Sequence, residues 1–260
     1  MTHRQTLRRR VPLDEGHLSY VVRPAPGPTL ILIPGSFSDS TAWDEVAAAL
    51  PNHISQIILE LRGHGDSWPP AREGSIEQFA GDILLVVDDL HLERFFIGGH
   101  SIGGMVALQV ACVRPGAVKG VISIEGWTSH HAAREAFAGD MDSTLSPDRR
   151  ARKAARRAAV TARWTQAQIE AFAKIWTRWD GYPFLAATDV PILHLSGDRG
   201  RLKPTLNKLR IPARSNIQVR WLENASHSLP VERPKELAEA IAAFIHSIET
   251  GADSESRYSR

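Results

Sequence analysis

The segment GGHSIGG (98–104) constrains the fold of this chain more than any other feature. It joins the apolar run FFI to the apolar stretch MVALQVAC, so a strand passes directly into a helix through a tight turn. The glycines beside Ser101 permit backbone angles and close contacts that larger residues resist. The segment therefore predicts a strand–turn–helix unit that presents the Ser101 hydroxyl above a sheet, at the N-terminus of a helix.

Short apolar runs alternate with helical patterns along most of the chain. This alternation predicts an α/β fold with a mainly parallel central sheet and helices on both faces. The predicted strands are HLSYVV, TLILIP, ISQIILEL, RFFIGG, KGVISIE, VPILHLSG and IQVRWLE. Further helices are predicted to begin near residues 40, 75, 101 and 234.

Between about residues 127 and 188 the sequence has helical patterns only. A Ser-Pro pair at 146–147 predicts the start of the basic, alanine-rich helix DRRARKAARRAAV, and T-x-x-Q at 165–168 is a capping box. An apolar stripe follows the capping box and includes Trp176 and Trp179. We therefore predict a core of residues 1–126 and 188–249, a helical lid insertion of residues 127–187 and a disordered tail of residues 250–260.

Charge and cysteine content bear on partners, ligands and location. The 31 Lys and Arg against 29 Asp and Glu leave a formal net charge of +2, too small to favour nucleic acid. No window is long and apolar enough to span a bilayer, so no membrane contact is predicted. Cys112 is the single cysteine, and we expect it to be buried in its helix and the protein to be cytoplasmic. His130 and His131 lack carboxylates or thiols at metal spacing, so neither metal nor cofactor is predicted.

Four motifs in the chain resemble those of the α/β-hydrolase superfamily, and they occur in that family's order. They are LIPGSFSDSTAW, LRGHGDS, the G-x-S-x-G turn around Ser101, and ENASHSLPVERPKELAEAIAAFI. The resemblance covers nearly the whole chain and implies an α/β-hydrolase fold. It also implies that Ser101 is a nucleophile and His227 its base, with an oxyanion hole formed by the backbone N–H groups of Ser36 and Ile102.

The carboxylate that should accompany His227 is missing from its usual place. In many members of the superfamily it ends a G-x-x-D pattern after the seventh strand, where this chain has Gly197-Asp198-Arg199-Gly200. Glu125 ends the strand that follows the Ser101 helix, and strand ends on one edge of a sheet meet in one crevice. Some haloalkane dehalogenases and the cofactor-independent quinolone dioxygenases place their acid there. We predict Glu125 as the acid, with Asp198 as the alternative, and the absence of any acid also stays open.

A serine, a histidine and a carboxylate in this fold indicate acyl transfer, so the predicted function is hydrolysis of an ester. The predicted substrate-binding residues are Phe37, His100, Trp127, Trp176 and Trp179. They indicate a small-molecule substrate with an apolar or aromatic acyl or leaving group. For any single tryptophan, ordinary packing is the better explanation. The basic stretch from Arg149 to Arg157 either attracts an anionic substrate or is a solvated helix face.

Two other functions remain open from sequence. A cofactor-independent dioxygenase acting on a hydroxyquinolone-like heterocycle shares GHSIGG and the acid at Glu125, but its oxyanion loop typically carries tryptophan and histidine where this chain has Ser36 and Ser38. A hydrolase-fold binding protein without catalysis would account for the vacancy at Gly200. Lactonase, perhydrolase and carbon–carbon hydrolase activities use the same three residue types, and the sequence does not separate them from esterase. It does not predict the oligomeric state either.

Overall fold

The computed structural model describes residues 5–72, 74–136 and 139–251, and its centre is one sheet of eight strands. The strands are β1 (Leu7–Pro12), β2 (His17–Arg23), β3 (Thr29–Ile33), β4 (Ser55–Leu59), β5 (Phe95–His100), β6 (Val118–Ile124), β7 (Ile192–Gly197) and β8 (Ile217–Leu222). Their order is β1-β2-β4-β3-β5-β6-β7-β8. Strand β2 runs antiparallel to β1 and β4, and the remaining pairs are parallel. The predicted α/β architecture is confirmed.

Helices cover both faces of the sheet. They are α1 (Asp44–Ala49), α2 (Ile76–Asp89), α3 (Ile102–Val113), α4 (His130–Ala136), α5 (Pro147–Thr161), α6 (Gln166–Lys174), α7 (Tyr182–Ala187), α8 (Leu206–Leu209), α9 (Leu229–Glu232) and α10 (Pro234–Thr250). Apolar side chains of α2 and α3 form one buried cluster with the sheet, and those of α1 and α10 form a second. The central parallel strands β3, β5, β6 and β7 are therefore buried on both sides, as parallel strands require.

Strand β1 is a strand that the sequence analysis did not predict. Its residues LRRRVP are mostly exposed, and only Val11 among them is buried. Arg8 nevertheless has inward partners, because its Nη1 donates to Ser19 Oγ at 2.8 Å and to Glu60 Oε2 at 3.0 Å. A charged edge strand lacks the apolar alternation that reveals inner strands, and its charges discourage pairing with another chain.

The segment between β6 and β7 contains helices α4 to α7, as the sequence predicted. Ser146 Oγ accepts a hydrogen bond from the Arg149 N–H, and Thr165 and Gln168 form the capping box. Helix α6 ends at Lys174, and a 3₁₀ turn, Ile175–Arg178, follows it. Trp176 therefore lies on that turn rather than on the helix. The division of the chain into a core and a lid stays a prediction.

Two expectations from sequence need comment. Cys112 is exposed, not buried, because it lies with the exposed Val113 in the last turn of α3, beyond the tightly packed part of that helix. The predicted disordered tail begins at Thr250, which instead ends helix α10, and residues 252–260 lie outside the described residues. Within the described ranges, no helix has the length and apolar character needed to cross a membrane.

Candidate active site

Ser101 lies in the turn between β5 and α3 with strained backbone angles, φ 55° and ψ −121°. Its N–H donates to the Ile124 carbonyl at 2.8 Å, and its own carbonyl accepts from the Gly104 N–H at 2.9 Å. A Cβ atom at Gly99 would lie 2.1 Å from the Gly103 carbonyl oxygen, so the turn closes only with glycine there. Such strain costs about 1–3 kcal/mol and persists only where the surroundings enforce it.

The N–H of Ile102 lies at the start of α3, beside Ser101. Within the described residues, the Ser101 side chain makes no capping hydrogen bond and no side chain accepts from the Ile102 N–H. This N–H and the helix dipole favour negative charge at this end. The Ser101 side chain is half-buried, and no hydrogen bond joins its hydroxyl to the His227 ring in the described part of the chain.

The loop after β3 carries Ser36 and Phe37. The Phe37 N–H donates to Nε2 of His64 at 3.0 Å, and the second ring nitrogen of His64 contacts the Arg62 carbonyl at the same distance. Burial lowers the pKa of His64 to about 4, so the ring is neutral and accepts through Nε2. His64 therefore holds this loop in place, and the Phe37 N–H is already committed to it.

Glu125 directly follows β6, and its side chain is fully buried. Its Oε2 lies 3.0 Å from His227 Nδ1 and accepts from Arg199 Nη2 at 2.7 Å. Its Oε1 accepts from the Gly197 N–H at 2.6 Å. The backbone of Glu125 has φ 52°, and its N–H donates to the Leu195 carbonyl at 2.8 Å. These three contacts of the carboxylate thus come from the end of β7, the turn after it and His227.

Burial alone would raise the pKa of the Glu125 carboxyl. The hydrogen bonds and charges of His227 and Arg199 outweigh it, and the pKa lies below its ordinary value. Glu125 is therefore ionised near neutral pH and accepts from Nδ1–H of His227. That tautomer leaves Nε2 of His227 as a proton acceptor.

His100 braces the His227 segment. Its Nε2 donates to the His227 carbonyl at 2.7 Å, and the two rings lie 4.9 Å apart. Burial, followed by the nearby His227, lowers the pKa of His100 to about 3. A Cβ atom at Gly35 would lie 2.6 Å from His100 Nδ1, so the loop after β3 passes tightly over this ring.

Asp198, the alternative acid, belongs to the turn after β7. Its Oδ1 accepts from the Gly200 N–H at 2.8 Å and from the Asn224 N–H at 2.7 Å. The carboxylate therefore closes a turn, while His227 takes its carboxylate contact from Glu125. The structure thus brings Glu125 and His227 together and leaves Asp198 in its own turn.

The comparisons with known proteins agree with this architecture. Residues 30–240 match the model of the alpha/beta hydrolase family. The chain belongs to this family. It is 31% identical over 163 residues to 2-succinyl-6-hydroxy-2,4-cyclohexadiene-1-carboxylate synthase of Enterobacter sp. (strain 638), covering 62% of this chain and 55% of that protein. The chain spans between 29% and 55% of the length of the curated relatives that it matches.

Solved structures share the fold at low sequence identity. The enol-lactonase from Burkholderia xenovorans LB400 has a TM-score of 0.71 at 24% identity, covering 92% of this chain and 100% of that one. A carboxylesterase from Bacillus subtilis has a TM-score of 0.70 at 19% identity, covering 93% of this chain and 92% of that one. At these identities the likeness establishes the alpha/beta hydrolase fold alone.

The aromatic residues predicted to bind substrate do not all lie together in this hydrolase fold. The Trp127 ring lies 5.3 Å from the His227 ring and 5.3 Å from the Trp176 ring, and both tryptophans are half-buried. Phe37 is buried against Trp164 and Phe172 of the segment between β6 and β7. Trp127 and Trp176 thus lie near His227, as His100 does.

Trp179 has a packing contact instead. Its side chain is buried, and its Nε1 donates to Gln109 Oε1 on α3 at 2.9 Å. His130, the residue weighed as a metal ligand, packs on the Trp176 ring at 4.8 Å. Across residues 5–72, 74–136 and 139–251, no group of three His, Cys, Asp or Glu side chains is placed to hold a metal ion.

The basic helix α5 is tied to the hydrolase core by its cations. Lys153 Nζ lies 2.5 Å from Asp142 Oδ2 and 2.8 Å from Ser228 Oγ, one residue beyond His227. Burial tends to raise the pKa of Asp142, but Lys153 and Ser228 hold it below its usual value. Further along the helix are ion pairs from Arg152 to Glu45 and from Arg156 to Asp39, and the Arg157 guanidinium lies over the Phe37 ring. Most residues of α5 are nevertheless exposed, so these contacts leave both predictions for the basic stretch open.

Sequence reasoning missed Arg199 and Lys153, which contact the candidate site through Glu125 and Ser228. Lys153 was visible only as one cation in a long basic run. Arg199 had a clearer signal, because it adjoins the vacancy at Gly200 where a carboxylate was expected. A buried cation needs a nearby anion, so an arginine in the segment that usually supplies the acid indicates a carboxylate on a neighbouring segment.

Proposed function

We propose that this protein is a serine hydrolase that cleaves an ester bond by acyl transfer. Ser101 is the nucleophile, His227 its base, and Glu125 the carboxylate that orients His227. The observation that carries the proposal is the 3.0 Å contact between Glu125 Oε2 and His227 Nδ1. This contact selects the tautomer with a free Nε2, which is the form that can accept a serine proton.

The proposed reaction has two halves. In the first, Ser101 Oγ bonds to the ester carbonyl carbon, its proton passes to His227 Nε2, and the alcohol leaves as the C–O bond breaks and takes that proton. In the second, water attacks the acyl-serine, gives a proton to Nε2, and the acid departs as Ser101 regains its proton. Catalytic hydrogen bonds often tighten only when substrate is bound, so a missing Ser101–His227 hydrogen bond is compatible with this scheme.

The proposed oxyanion hole consists of the N–H groups of Ile102 and Ser36. The support is the uncapped first turn of α3 and the loop that His64 holds beside it. Each such donor is typically worth about 3 kcal/mol of transition-state stabilisation. The Phe37 N–H is not part of the proposed hole, because it is bonded to His64.

We further propose that residues 127–187 act as a lid and that the substrate is a small molecule with an apolar or aromatic group. The support is the Trp127–Trp176 pair beside His227, whose rings could receive such a group. Among solved structures of the same fold are an enol-lactonase and a carboxylesterase. Both names describe ester chemistry, in a ring or in an open chain.

The test is turnover of p-nitrophenyl acetate and labelling by a fluorophosphonate probe. The wild type should hydrolyse the ester and be labelled, whereas Ser101→Ala should show neither property. Ser215→Ala, which changes an exposed serine between β7 and β8, is the matched control and should keep both. Undiminished turnover by Ser101→Ala would end the proposal. A folded wild type without labelling or turnover would favour a binding protein.

A second candidate is proton abstraction from a hydroxyquinolone-like heterocycle that then reacts with oxygen. It is favoured by one observation, that the Glu125–His227 pair is complete without a hydrogen bond to Ser101. Oxygen uptake in the presence of a hydroxyquinolone separates the two candidates. Uptake that persists in Ser101→Ala and disappears in His227→Ala would establish the second candidate, and no uptake by the wild type would remove it.

A further inference from the structure

Arg199 is rigidly held in the turn after β7. Its backbone has φ 56°, and its N–H donates to the Ala225 carbonyl at 3.0 Å. Its Nη1 donates to the Gly197 carbonyl at 2.6 Å, two residues back along its own turn. Only 4% of its side chain is exposed, so this guanidinium is a buried charge. A buried charge persists only where an opposite charge and hydrogen bonds compensate it.

That compensation comes from Glu125. Arg199 Nη2 lies 2.7 Å from Glu125 Oε2, the same oxygen that faces His227 Nδ1 at 3.0 Å. The Gly197 N–H occupies Oε1 at 2.6 Å. One carboxylate oxygen is therefore shared between a permanent cation and the imidazole, and the end of β7 fixes the other oxygen.

We propose that Arg199 is a positioning residue that fixes the Glu125 carboxylate toward His227 and lowers the proton affinity of the Glu125–His227 pair. The inference rests on the proposed function of that pair. Arg199 and Glu125 together are neutral, so an imidazolium at His227 gains less from Glu125 than it would from a carboxylate alone. The Glu125–His227 pair accordingly takes up a proton less readily than it would without Arg199.

The direction of the effect does not depend on which member of the pair takes the proton. Removing the Arg199 charge favours protonation of His227 and of Glu125 alike, because either event adds positive charge next to the site of the lost cation. The acid limb of the pH–rate profile must therefore move to higher pH.

Other charged and titratable groups face this pair and stay unchanged in the test. They are His100 from β5, His194 from β7, Asp142 from the segment before α5, and Lys153 from α5. Asp142 and Lys153 compensate each other through their ion pair. Burial lowers the pKa of His194 to about 4, so it is neutral where activity would be measured.

The experiment compares the pH dependence of kcat/KM for p-nitrophenyl acetate in wild type, Arg199→Gln and Arg199→Lys. In Arg199→Gln the acid limb should move up by about one pH unit, a modest shift for the loss of a nearby charge. Arg199→Lys keeps the charge and should keep the wild-type limb. Arg62→Gln is the matched control, because it breaks another pair with a buried carboxylate, Asp82, and should leave the limb unmoved.

Two results would overturn the proposal. One is a folded Arg199→Gln protein with the wild-type acid limb, which would make Arg199 merely structural. The other is an acid limb of Arg199→Lys that is displaced by a unit or more although the charge is still present. The Arg199→Lys variant tests the proposal even if Arg199→Gln does not fold.

A second readout separates this proposal from the proposed function. The ring protons of His227 can be titrated by NMR in Ser101→Ala and in Ser101→Ala/Arg199→Gln, neither of which requires turnover. The midpoint should move up by about one unit when Arg199 is replaced. If no ester is hydrolysed yet this midpoint moves, the esterase proposal fails and the role of Arg199 stands. If turnover is normal and the midpoint is unchanged, the esterase proposal stands and the proposed role of Arg199 fails.

Discussion

The ends of β6 and β7 lie side by side in the sheet and carry opposite charges. Glu125 directly follows strand β6, and the turn after β7 carries Arg199, one residue before Gly200, where the G-x-x-D pattern would place its acid. Glu125 and Arg199 both have a left-handed backbone, with φ 52° and 56°. The comparison teaches that His227 takes its carboxylate contact from the residue after β6, although the turn after β7 also carries a carboxylate, Asp198. In this chain His227, together with the counter-charge of Arg199 from the neighbouring strand end, holds the pKa of the buried Glu125 carboxyl below its ordinary value.

The largest expected effect comes from neutralising each acid in turn. Glu125→Gln should lower kcat for p-nitrophenyl acetate by about 10³-fold or more, because the amide no longer fixes the His227 tautomer. Asp198→Asn should change kcat by less than about 3-fold, because the amide oxygen can still accept from the turn N–H groups. Steady-state kinetics on the two variants would measure these losses in kcat. A larger loss in Asp198→Asn than in Glu125→Gln would show that the acid lies at the end of β7.

Changing the length of each acid tests the geometry more finely. Glu125→Asp keeps the charge but withdraws the carboxylate by one methylene, and a misplacement of this size should cost about 10²-fold in kcat. Asp198→Glu lengthens the other acid and should cost less than about 3-fold, because its turn is away from His227. Equal losses in both variants would show that the two strand ends contribute alike.

The pH dependence of stability tests whether Glu125 is ionised in the folded protein. The hydrogen bonds and charges of His227 and Arg199 overcome burial and lower the pKa of Glu125, so its contribution is present above the ordinary value of 4.5 and is lost as pH falls. The free energy of unfolding should therefore decrease more steeply below about pH 4.5 in wild type than in Glu125→Gln. Asp88 and Asp142, whose pKa values are also lowered, contribute equally to both proteins. Parallel curves would contradict the ionised buried pair.

The smallest effect should come from restoring an acid at the vacant position. Gly200 has φ 66°, and a Cβ atom there would lie 3.1 Å from Asn224 Oδ1. Gly200→Asp should therefore cost about 1 kcal/mol of stability and change kcat by less than about 3-fold. In the Glu125→Gln background it should not restore turnover. Recovery of activity there would mean that the two strand ends are interchangeable.

The sequence allowed prediction of residues whose surroundings are set by their neighbours along the chain. It was less informative about residues whose partners lie on distant segments. Ser101 was predictable because glycines and apolar flanks define its turn. The prediction of Glu125 used the adjacency of β6 to β5, which the topology of parallel sheets supplies. It also used the vacancy at Gly200 and the resemblance to enzymes that place their acid at this strand end. Strand β1 was not predictable, because its arginines find partners on distant segments. The direction of the Arg199 side chain depends on a left-handed backbone angle in a turn, which no periodicity reveals.

The pocket was less predictable than the reacting groups. Trp176 and Trp179 fit one helical stripe, but α6 ends at Lys174 and the two side chains diverge after it. Trp176 joins Trp127 near His227, while Trp179 bonds to Gln109. Because α6 ends at Lys174, Trp176 and not Trp179 lies near the candidate site.

The most direct test is the NMR resonance of the proton on His227 Nδ1. A hydrogen bond to a buried carboxylate strongly deshields such a proton and protects it from exchange. We predict a low-field resonance in wild type that persists in Asp198→Asn and disappears in Glu125→Gln. A resonance that persists in Glu125→Gln and disappears in Asp198→Asn would contradict the account, because His227 would then take its carboxylate from the end of β7.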